Sequence, residues 1–291
     1  MPDNLPRPDQ DEDGFREALA YSASRTGFST RLIEKDYFCS LLLDELTSAF
    51  AVGLVFKGGT ALSKVHAGFY RLSEDLDFVV SIETDAVRSR RRAAIEPIKL
   101  HLERLLAASG WLSQSQSFKG ANQSSHYTAV LSYSSSLSGD RERIRFEVGL
   151  REPVVETAET KPAGTILFNP FTTKAALHPI PVTVMSKRES YAEKIRAALC
   201  RRIPAIRDLY DLDYAAMNGV IDPGEDRLLQ LVSQKLAVPG NAAPDVSASR
   251  LDVLRRQVDA QLRPVLRKED FSRFDLDRAF DLLRRIQQQL H

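Results

Sequence analysis

The sequence is poor in the residues that mark several common protein classes. It has two cysteines, Cys39 and Cys200, in 291 residues, and neither has a Cys or His nearby at ligand spacing, so neither a disulfide framework nor a zinc knuckle is indicated. The longest apolar run near the front, 49–56, is far shorter than the about 20 residues that cross a bilayer. No basic-then-apolar signal pattern is present near the start. We therefore expect a cytoplasmic protein with no membrane segment and two reduced thiols.

Excess charge of one sign is also lacking. Lys and Arg number 40 and Asp and Glu 39, which gives a formal net charge of +1. The field of the whole molecule therefore neither attracts nor repels a polyanion strongly, and any contact with nucleic acid must be a local patch. The arginine-rich stretch 88–92 and the pair 201–202 are candidates, although a solvated surface is the favoured explanation of each.

The hydrophobic pattern divides the chain into three parts. Residues 1–13 are rich in Pro and Asp with almost nothing apolar, which predicts a disordered N-terminus. Residues 14–185 mix helical patterns with short strands, and residues 186–291 are helical with breaks at Pro and Gly. We predict an α+β, bilobed chain, in which a lobe with a mixed sheet precedes a helical lobe that completes an active-site cleft. One strand is predicted in the apolar run that ends at 55–56, and others at 76–80, 126–133, 143–150 and 182–185.

The segment 57–78, KGGTALSKVHAGFYRLSEDLDF, carries the strongest chemical signal. Gly58 and Gly59 follow a predicted buried strand and allow the backbone to approach a phosphate closely. The hydroxyls of Thr60 and Ser63 and the free N–H groups of the new helix can then point at the anion. This pattern predicts a triphosphate cradle, and an ordinary tight turn is the alternative.

Asp75 and Asp77 strengthen the first interpretation. Residues i and i+2 of a strand project from the same face, so the two carboxylates meet and repel each other. A divalent cation between them would relieve the repulsion, and nucleotidyl transfer uses two Mg²⁺ ions held by carboxylates. For a lone Asp-x-Asp, an exposed strand end or a cap would be the alternative.

A third carboxylate is expected on a neighbouring strand. In the strand around 143–150, Glu147 shares the polar face with Arg143 and Arg145, opposite the apolar side chains. This position could place Glu147 beside the aspartate pair as a metal ligand. A surface residue that pairs with Arg143 or Arg145 is the alternative.

The second half contains a charged helical stretch, 190–214. Lys194 lies at the edge of its helix's apolar stripe, from which it could reach phosphates, and its removal is expected to spare the fold. Arg207 and Asp211 stand at the i, i+4 spacing of an ordinary helical ion pair, which would by itself explain both.

The order of these motifs is similar to a known family. KGGTALSK, RLSEDLDF, RFEVG, YAEKIRAAL and RDLYDLDY, together with the earlier IEKDYF, resemble the AbiEii/MenT nucleotidyltransferase toxins over most of residues 30–217. The resemblance implies a polymerase-β-like core with Gly58, Gly59 and Ser63 at the nucleotide phosphates. It also implies that Lys194 and Asp208 complete the active site. The nucleotide-binding set is then Lys57, Gly58, Gly59, Thr60, Ser63 and Ser73, the catalytic set is Asp75, Asp77, Lys194 and Asp208, and the metal ligands are Asp75, Asp77 and Glu147.

The resemblance further implies an activity and partners. Members of the family use Mg²⁺ and an NTP and in some cases modify the 3′ end of tRNA, which blocks translation in toxin–antitoxin or phage-defence systems. A cognate antitoxin protein often accompanies them. A small-molecule or protein nucleotidyltransferase of the same fold, and a nucleotide-binding regulator without turnover, remain as alternatives.

Overall fold

The computed structural model describes residues 11–48 and 53–290 of the chain. These residues form ten α-helices and one seven-stranded sheet. They divide into two compact units: unit 1 holds the described residues up to Val154 together with Ala158–Val184, and unit 2 holds Val155–Thr157 and the chain from Met185 onwards. None of the helices in the described ranges is both long and apolar enough to cross a membrane.

Unit 1 contains the whole sheet. Its strands follow the order β3-β4-β5-β2-β1-β7-β6. The pairs β2–β5 and β1–β7 are parallel and the other four are antiparallel, so the sheet is mixed, as predicted. The elements are α1 (Glu12–Thr26), α2 (Thr30–Ser48), β1 (Leu54–Lys57), α3 (Gly58–Ala61), β2 (Asp75–Val80), α4 (Arg88–Ala108), β3 (Ser113–Ala121), β4 (His126–Ser134), β5 (Arg141–Gly149), β6 (Glu159–Ala163) and β7 (Ile180–Val184).

Residues 11–13 are ordered at the start of a helix, whereas the sequence predicts disorder over 1–13. Residues 1–10 lie outside the described residues, but α1 begins at Glu12. Asp11 caps this helix by accepting a hydrogen bond of 2.9 Å from the amide of Gly14, an arrangement that offsets a free N–H of the first turn. Residues 49–52 of the predicted apolar run also lie outside the described residues, and its end is strand β1.

Helix α2 is tied to distant parts of unit 1 through charged side chains that are buried. Glu34 is fully buried and accepts a hydrogen bond of 2.7 Å from the Ser135 hydroxyl in the loop after β4. Lys35, on the next position, forms an ion pair of 3.2 Å with Glu74 just before β2. Because a buried charge without a partner is costly, these pairs fix how α2 meets the sheet.

A second buried pair follows on the same helix. The Lys64 ammonium, in the π-helical turn after α3, forms an ion pair with Asp36 and donates to the Ser40 hydroxyl at 2.7 Å. Asp36 also accepts from the Thr165 hydroxyl at 2.9 Å, and Lys64 donates to the Gly164 carbonyl at 3.3 Å. With several partners for each charge, the pair satisfies the condition under which burial of ions is tolerated.

Unit 2 is helical, as its pattern predicts. The predicted breaks at Pro204, 222–223 and 238–244 fall between helices, and Pro264 lies in a short 3₁₀ turn. The helices are α5 (Lys187–Cys200), α6 (Ile206–Met217), α7 (Asp226–Ala237), α8 (Ala248–Gln257), α9 (Lys268–Arg273) and α10 (Leu276–Gln289).

The segment 155–157 belongs to unit 2 because α5 holds it. The carboxylate of Glu189 accepts hydrogen bonds from the backbone amides of Val155 at 3.0 Å and Glu156 at 2.8 Å. The buried ammonium of Lys235 on α7 neutralises the same carboxylate at 2.6 Å. This fully buried carboxylate therefore has both a cation and amide donors.

Candidate active site

The turn between β1 and α3 brings glycine backbone against an acidic side chain. Gly58 has φ of +78°, in the left-handed region that favours glycine. A Cβ at this position would lie 2.3 Å from Oδ2 of Asp77, the partner of Lys57 across strands β1 and β2. Gly58 is therefore required both by the backbone conformation and by the neighbouring carboxylate.

At Gly59, the side chains that leave no room for a Cβ are those of Arg71 and Ser73. A Cβ on Gly59 would lie 2.5 Å from a terminal nitrogen of Arg71 and 3.2 Å from the Ser73 hydroxyl. Arg71 is 2% exposed, so a buried guanidinium lies directly beside the glycine turn. The sequence did not identify Arg71 as a site residue. Arg71 stands two residues before Ser73 in RLSED, and this position was the feature of the sequence that could have indicated it.

The hydroxyls of Thr60 and Ser63 are used within the protein. Thr60 donates to the backbone carbonyl of Asp75, and Ser63 donates to the carbonyl of Arg71 at 2.6 Å. Both side chains are buried. These hydrogen bonds fix the helical turn against the segment that leads into β2, whereas the sequence predicts that both hydroxyls point at an anion. In the structure they position the turn.

Asp75 and Asp77 project from one face of β2, and both are half-buried. Burial raises the pKa of Asp75, and the negative charge of Asp77 raises it further. The positive charges of Arg145 and Lys35 oppose these two effects without reversing them. The like-charge pair inferred from the spacing is therefore present, and ionisation of Asp75 is disfavoured.

Glu147 is the cross-strand partner of Asp77, because β5 pairs in parallel with β2 in this register. Its carboxylate, however, forms an ion pair of 3.0 Å with Nε of Arg145 and lies 3.6 Å from Nε2 of His126. Across the described ranges, no group of three or more His, Cys, Asp or Glu side chains is arranged to hold a metal ion. In this arrangement Glu147 lies beside Asp77 but is paired with Arg145, and its place in one ligand set with Asp75 and Asp77 stays a prediction.

The two aspartates alone fit a divalent cation in part. Carboxylate oxygens are the donors that Mg²⁺ prefers, and this ion usually binds through one or two carboxylates together with water and substrate phosphates. The missing Cβ of Gly58 leaves the space that the Asp77 carboxylate occupies. Asp75 and Asp77 would therefore hold the ion, and Glu147 would join them only by leaving Arg145.

His126 at the start of β4 is a neighbour of the site that the sequence did not indicate. Its Nε2 lies 3.1 Å from the Thr128 hydroxyl as well as near Glu147. Burial lowers the pKa of His126, while the charge of Asp77 opposes that shift. No local motif marks this histidine, because only the strand order brings it to the acidic residues.

In unit 2, Lys194 is bound by two carboxylates of α6. Its ammonium lies 2.6 Å from Asp208 and 2.9 Å from Asp211. The Lys194 side chain is only 11% exposed, so it is less accessible than its predicted place at the edge of the apolar stripe implied. Arg207 donates to the Gln261 carbonyl. The Lys194 ammonium is a partner of Asp211 that the i, i+4 spacing with Arg207 did not predict.

The chain is similar to one protein family and to solved structures. Residues 41–285 match the family described as nucleotidyl transferase AbiEii toxin, type IV TA system. JHP933 from Helicobacter pylori shares 16% identity, with 91% of this chain and 93% of that chain covered and a TM-score of 0.52. A candidate nucleotidyltransferase from H. pylori shares 17% identity, with 97% and 96% covered and a TM-score of 0.47.

No curated protein matches the sequence significantly. The likeness to JHP933 concerns the fold, whereas the family match extends over most of the chain and includes the glycine turn and the acidic strand. The chain therefore belongs to the AbiEii family of nucleotidyltransferase toxins of type IV toxin–antitoxin systems.

Proposed function

We propose that this protein transfers a nucleotide from an NTP to an RNA acceptor, with Mg²⁺ held by Asp75 and Asp77 and the 3′ end of tRNA as the acceptor. The observation that carries the proposal is the pair of like-charged carboxylates packed against the Gly58 turn. Two carboxylates that repel each other and are partly buried oppose folding, so their presence needs a function. A cation and the triphosphate that it accompanies supply that function.

The geometry of the turn supports a phosphate at this place. A Cβ on Gly58 would collide with Asp77 and one on Gly59 with Arg71, so the absence of side chains lets these two charged groups approach the backbone of the turn. A triphosphate would lie at this turn, and Asp75 and Asp77 would hold the metal ion that accompanies it. Arg71 and Ser73 border the same turn, and Ser73 keeps its predicted role as a nucleotide contact.

Bound Mg²⁺ would supply activation of the attacking hydroxyl and neutralise the leaving pyrophosphate. The residues of the chain orient the reactants. Asp75 and Asp77 would hold that ion, and the hydrogen bonds from Thr60 and Ser63 hold the turn at β2. The roles of Lys194 and Asp208 as catalytic residues follow from the family resemblance and remain predictions.

The acceptor is the least constrained part of the proposal. A net charge of +1 gives no general attraction to RNA, and tRNA enters through the resemblance to the family. Incubating the protein with each labelled NTP, Mg²⁺ and total RNA or total protein separates the alternatives. Label in the tRNA fraction supports the proposal, and label in protein or in small molecules supports the other acceptors.

The site assignment is tested by Asp77→Asn, with Asp85→Asn as its control on the exposed loop after β2. Asp77→Asn keeps the shape but removes a charge and a metal ligand. We expect transfer to fall by at least about a hundredfold, the order of loss seen when transition-state charge stabilisation is removed. Metal-free thermal stability should hold or rise. The control should leave nucleotide transfer and thermal stability unchanged. An active but destabilised Asp77→Asn protein would contradict the site assignment.

A toxin of this family is also expected to have a cognate antitoxin as a partner. Inhibition of growth by the toxin is a second measurement of the proposed activity. Expression of the wild-type chain should slow growth, and Asp77→Asn should relieve the inhibition to the extent that it removes transfer. Full toxicity of a transfer-deficient Asp77→Asn protein would separate the toxin activity from the proposed chemistry.

A further inference from the structure

Helix α6 has two functional faces, and the proposed function accounts for one of them. Asp208 and Asp211 are bound to the ammonium from α5. Tyr210, Tyr214 and Met217 follow one another at spacings of four and three residues, which places them on a common side of the helix. These three residues line a pocket within unit 2. The motif RDLYDLDY thus contains a second set of residues with a separate role.

The pocket has the size and walls of a small-molecule site. Its volume is about 380 Å³, within the range of about 300–1,000 Å³ that is usual for ligand pockets. The Tyr210 and Phe274 rings meet edge to face, with centroids 5.7 Å apart. Met217 is 62% exposed at its rim. We call this site the aromatic pocket; its walls include Tyr210, Tyr214, Met217, Arg273, Phe274 and Arg278.

The charge that the aromatic pocket offers a ligand is positive. Its two acidic residues already have cations: Arg278 binds Asp213 through two nitrogens at 2.8 and 2.7 Å, and Arg267 forms an ion pair with Asp270. The exposed guanidinium of Arg273, by contrast, makes no hydrogen bond or ion pair with any residue that the structure describes. A ligand therefore meets aromatic faces beside one available arginine.

We propose that the aromatic pocket binds a single nucleotide unit, with its base against the rings of Tyr214 and Phe274 and its phosphate on Arg273. Aromatic faces accept any base by stacking, and arginine binds phosphate through paired N–H donors. The unit could be a free 5′-mononucleotide or an unpaired nucleotide of an RNA strand. The proposal goes beyond the proposed function, since the residues of the pocket belong to unit 2 and none is in the predicted nucleotide-binding set.

Met217→Cys provides a local readout, because Cys39 and Cys200 are both buried. The rate of alkylation by iodoacetamide is measured in the presence of a chelator, with 5′-mononucleotides in one arm and short single-stranded RNA in the other. We expect saturating ligand to slow alkylation at least about fivefold, the effect of losing access to an occupied rim. Val87→Cys, at a position 66% exposed in unit 1, is the control and should be alkylated at an unchanged rate.

Arg273→Ala in the Met217→Cys background tests the phosphate contact. We expect the ligand concentration for half-protection to rise about tenfold, a typical loss for a charge-assisted contact. Arg256→Ala, an exposed arginine on α8 outside the pocket, is the matched control and should cause no change. Protection by mononucleotides identifies the free-nucleotide source, and protection by RNA alone identifies the strand.

The proposal is overturned if neither ligand protects Met217→Cys, if Val87→Cys is protected equally, or if Arg273→Ala leaves the protection unchanged. The measurement needs neither metal nor turnover. Its failure would therefore leave the role of Asp75 and Asp77 intact, and a failure of nucleotide transfer would leave the aromatic pocket untouched.

Discussion

Two pairs of aspartates, one in each unit, look alike in the sequence and differ in their electrostatic condition. Asp75 and Asp77 lie side by side on a strand, and the pKa of Asp75 is raised by burial and by its neighbour. Asp208 and Asp211 lie one turn apart on a helix and share the ammonium of Lys194 at 2.6 and 2.9 Å. At Asp75, burial and the neighbouring carboxylate outweigh the opposing charges of Arg145 and Lys35, whereas the second pair is bound by one ammonium.

The difference teaches that acidic spacing alone does not identify a metal site. What decides is whether the fold supplies a compensating charge from elsewhere in the chain. When a buried carboxylate pair is already neutralised by a cation, removing that cation lowers the stability of the fold. A repelling pair has the opposite response, because removal of one charge relieves the fold. Removing a charge from the first pair and removing the ammonium from the second should therefore change stability in opposite directions.

The largest effect is expected from Lys194→Met, which leaves two buried carboxylates without their ammonium. Loss of one partner from a buried ion pair costs about 3–5 kcal/mol, so the free energy of unfolding in urea should fall by that order. Lys187→Met, an exposed residue of the same helix, should change it by less than about 0.5 kcal/mol. Equal stabilities of the two variants would show that Lys194 is not structural. The sequence-based expectation that its removal spares the fold would then stand.

Gly58→Ala should have an intermediate effect, because the new Cβ would collide with Oδ2 of Asp77 at a backbone φ of +78°. We expect a loss of about 1–3 kcal/mol in thermal or urea unfolding. Gly219→Ala has a similar φ of +64° with no atom within 4 Å of the added Cβ, so it measures the backbone cost alone. The excess cost at Gly58 should shrink when Asp77 is also replaced by Ala. Equal costs at both glycines would contradict the close approach.

The smallest effect concerns the pH dependence of metal-free stability. Because the folded pKa of Asp75 is raised, the wild-type protein loses stability as pH rises through the unfolded and then the folded pKa. Asp75→Asn removes this loss. Its gain in the free energy of unfolding should therefore be absent at low pH and reach about 0.5–2 kcal/mol above the folded pKa, a range usual for stabilising substitutions. A gain that is the same at every pH would rule out titration of Asp75 as the cause.

Features that depend on near neighbours in the sequence were predictable. The glycine turn, strand β2 and the breaks between the helices of unit 2 each follow from residues a few positions apart. Strands β3 and β6 were missed because they lie at the two edges of the sheet. Most of their side chains are exposed, so SQSQSFKGA and ETKPA lack the apolar alternation that marks a half-buried strand.

Pairings between distant residues were not predictable. Lys64 and Asp36 are 28 positions apart, and neither motif contains a pattern that predicts their ion pair. His126 reaches Glu147 only because β4 and β5 are neighbours. The position of Glu147 beside Asp77 was inferred from strand alternation, but its engagement by Arg145 needed the actual rotamers.

The strand order also bears on how the protein is made. Strand β2 lies between β1 and β5, and β1 in turn lies between β2 and β7, so the acidic strand and the glycine turn have neighbours that are encoded much later in the chain. During synthesis the ribosome must pass Val184 before β1 has both of its neighbours. Contacts of such long sequence separation form late. The sheet of a nascent chain therefore stays incomplete until Val184 has been synthesised, long after the glycine turn and the acidic strand have left the ribosome.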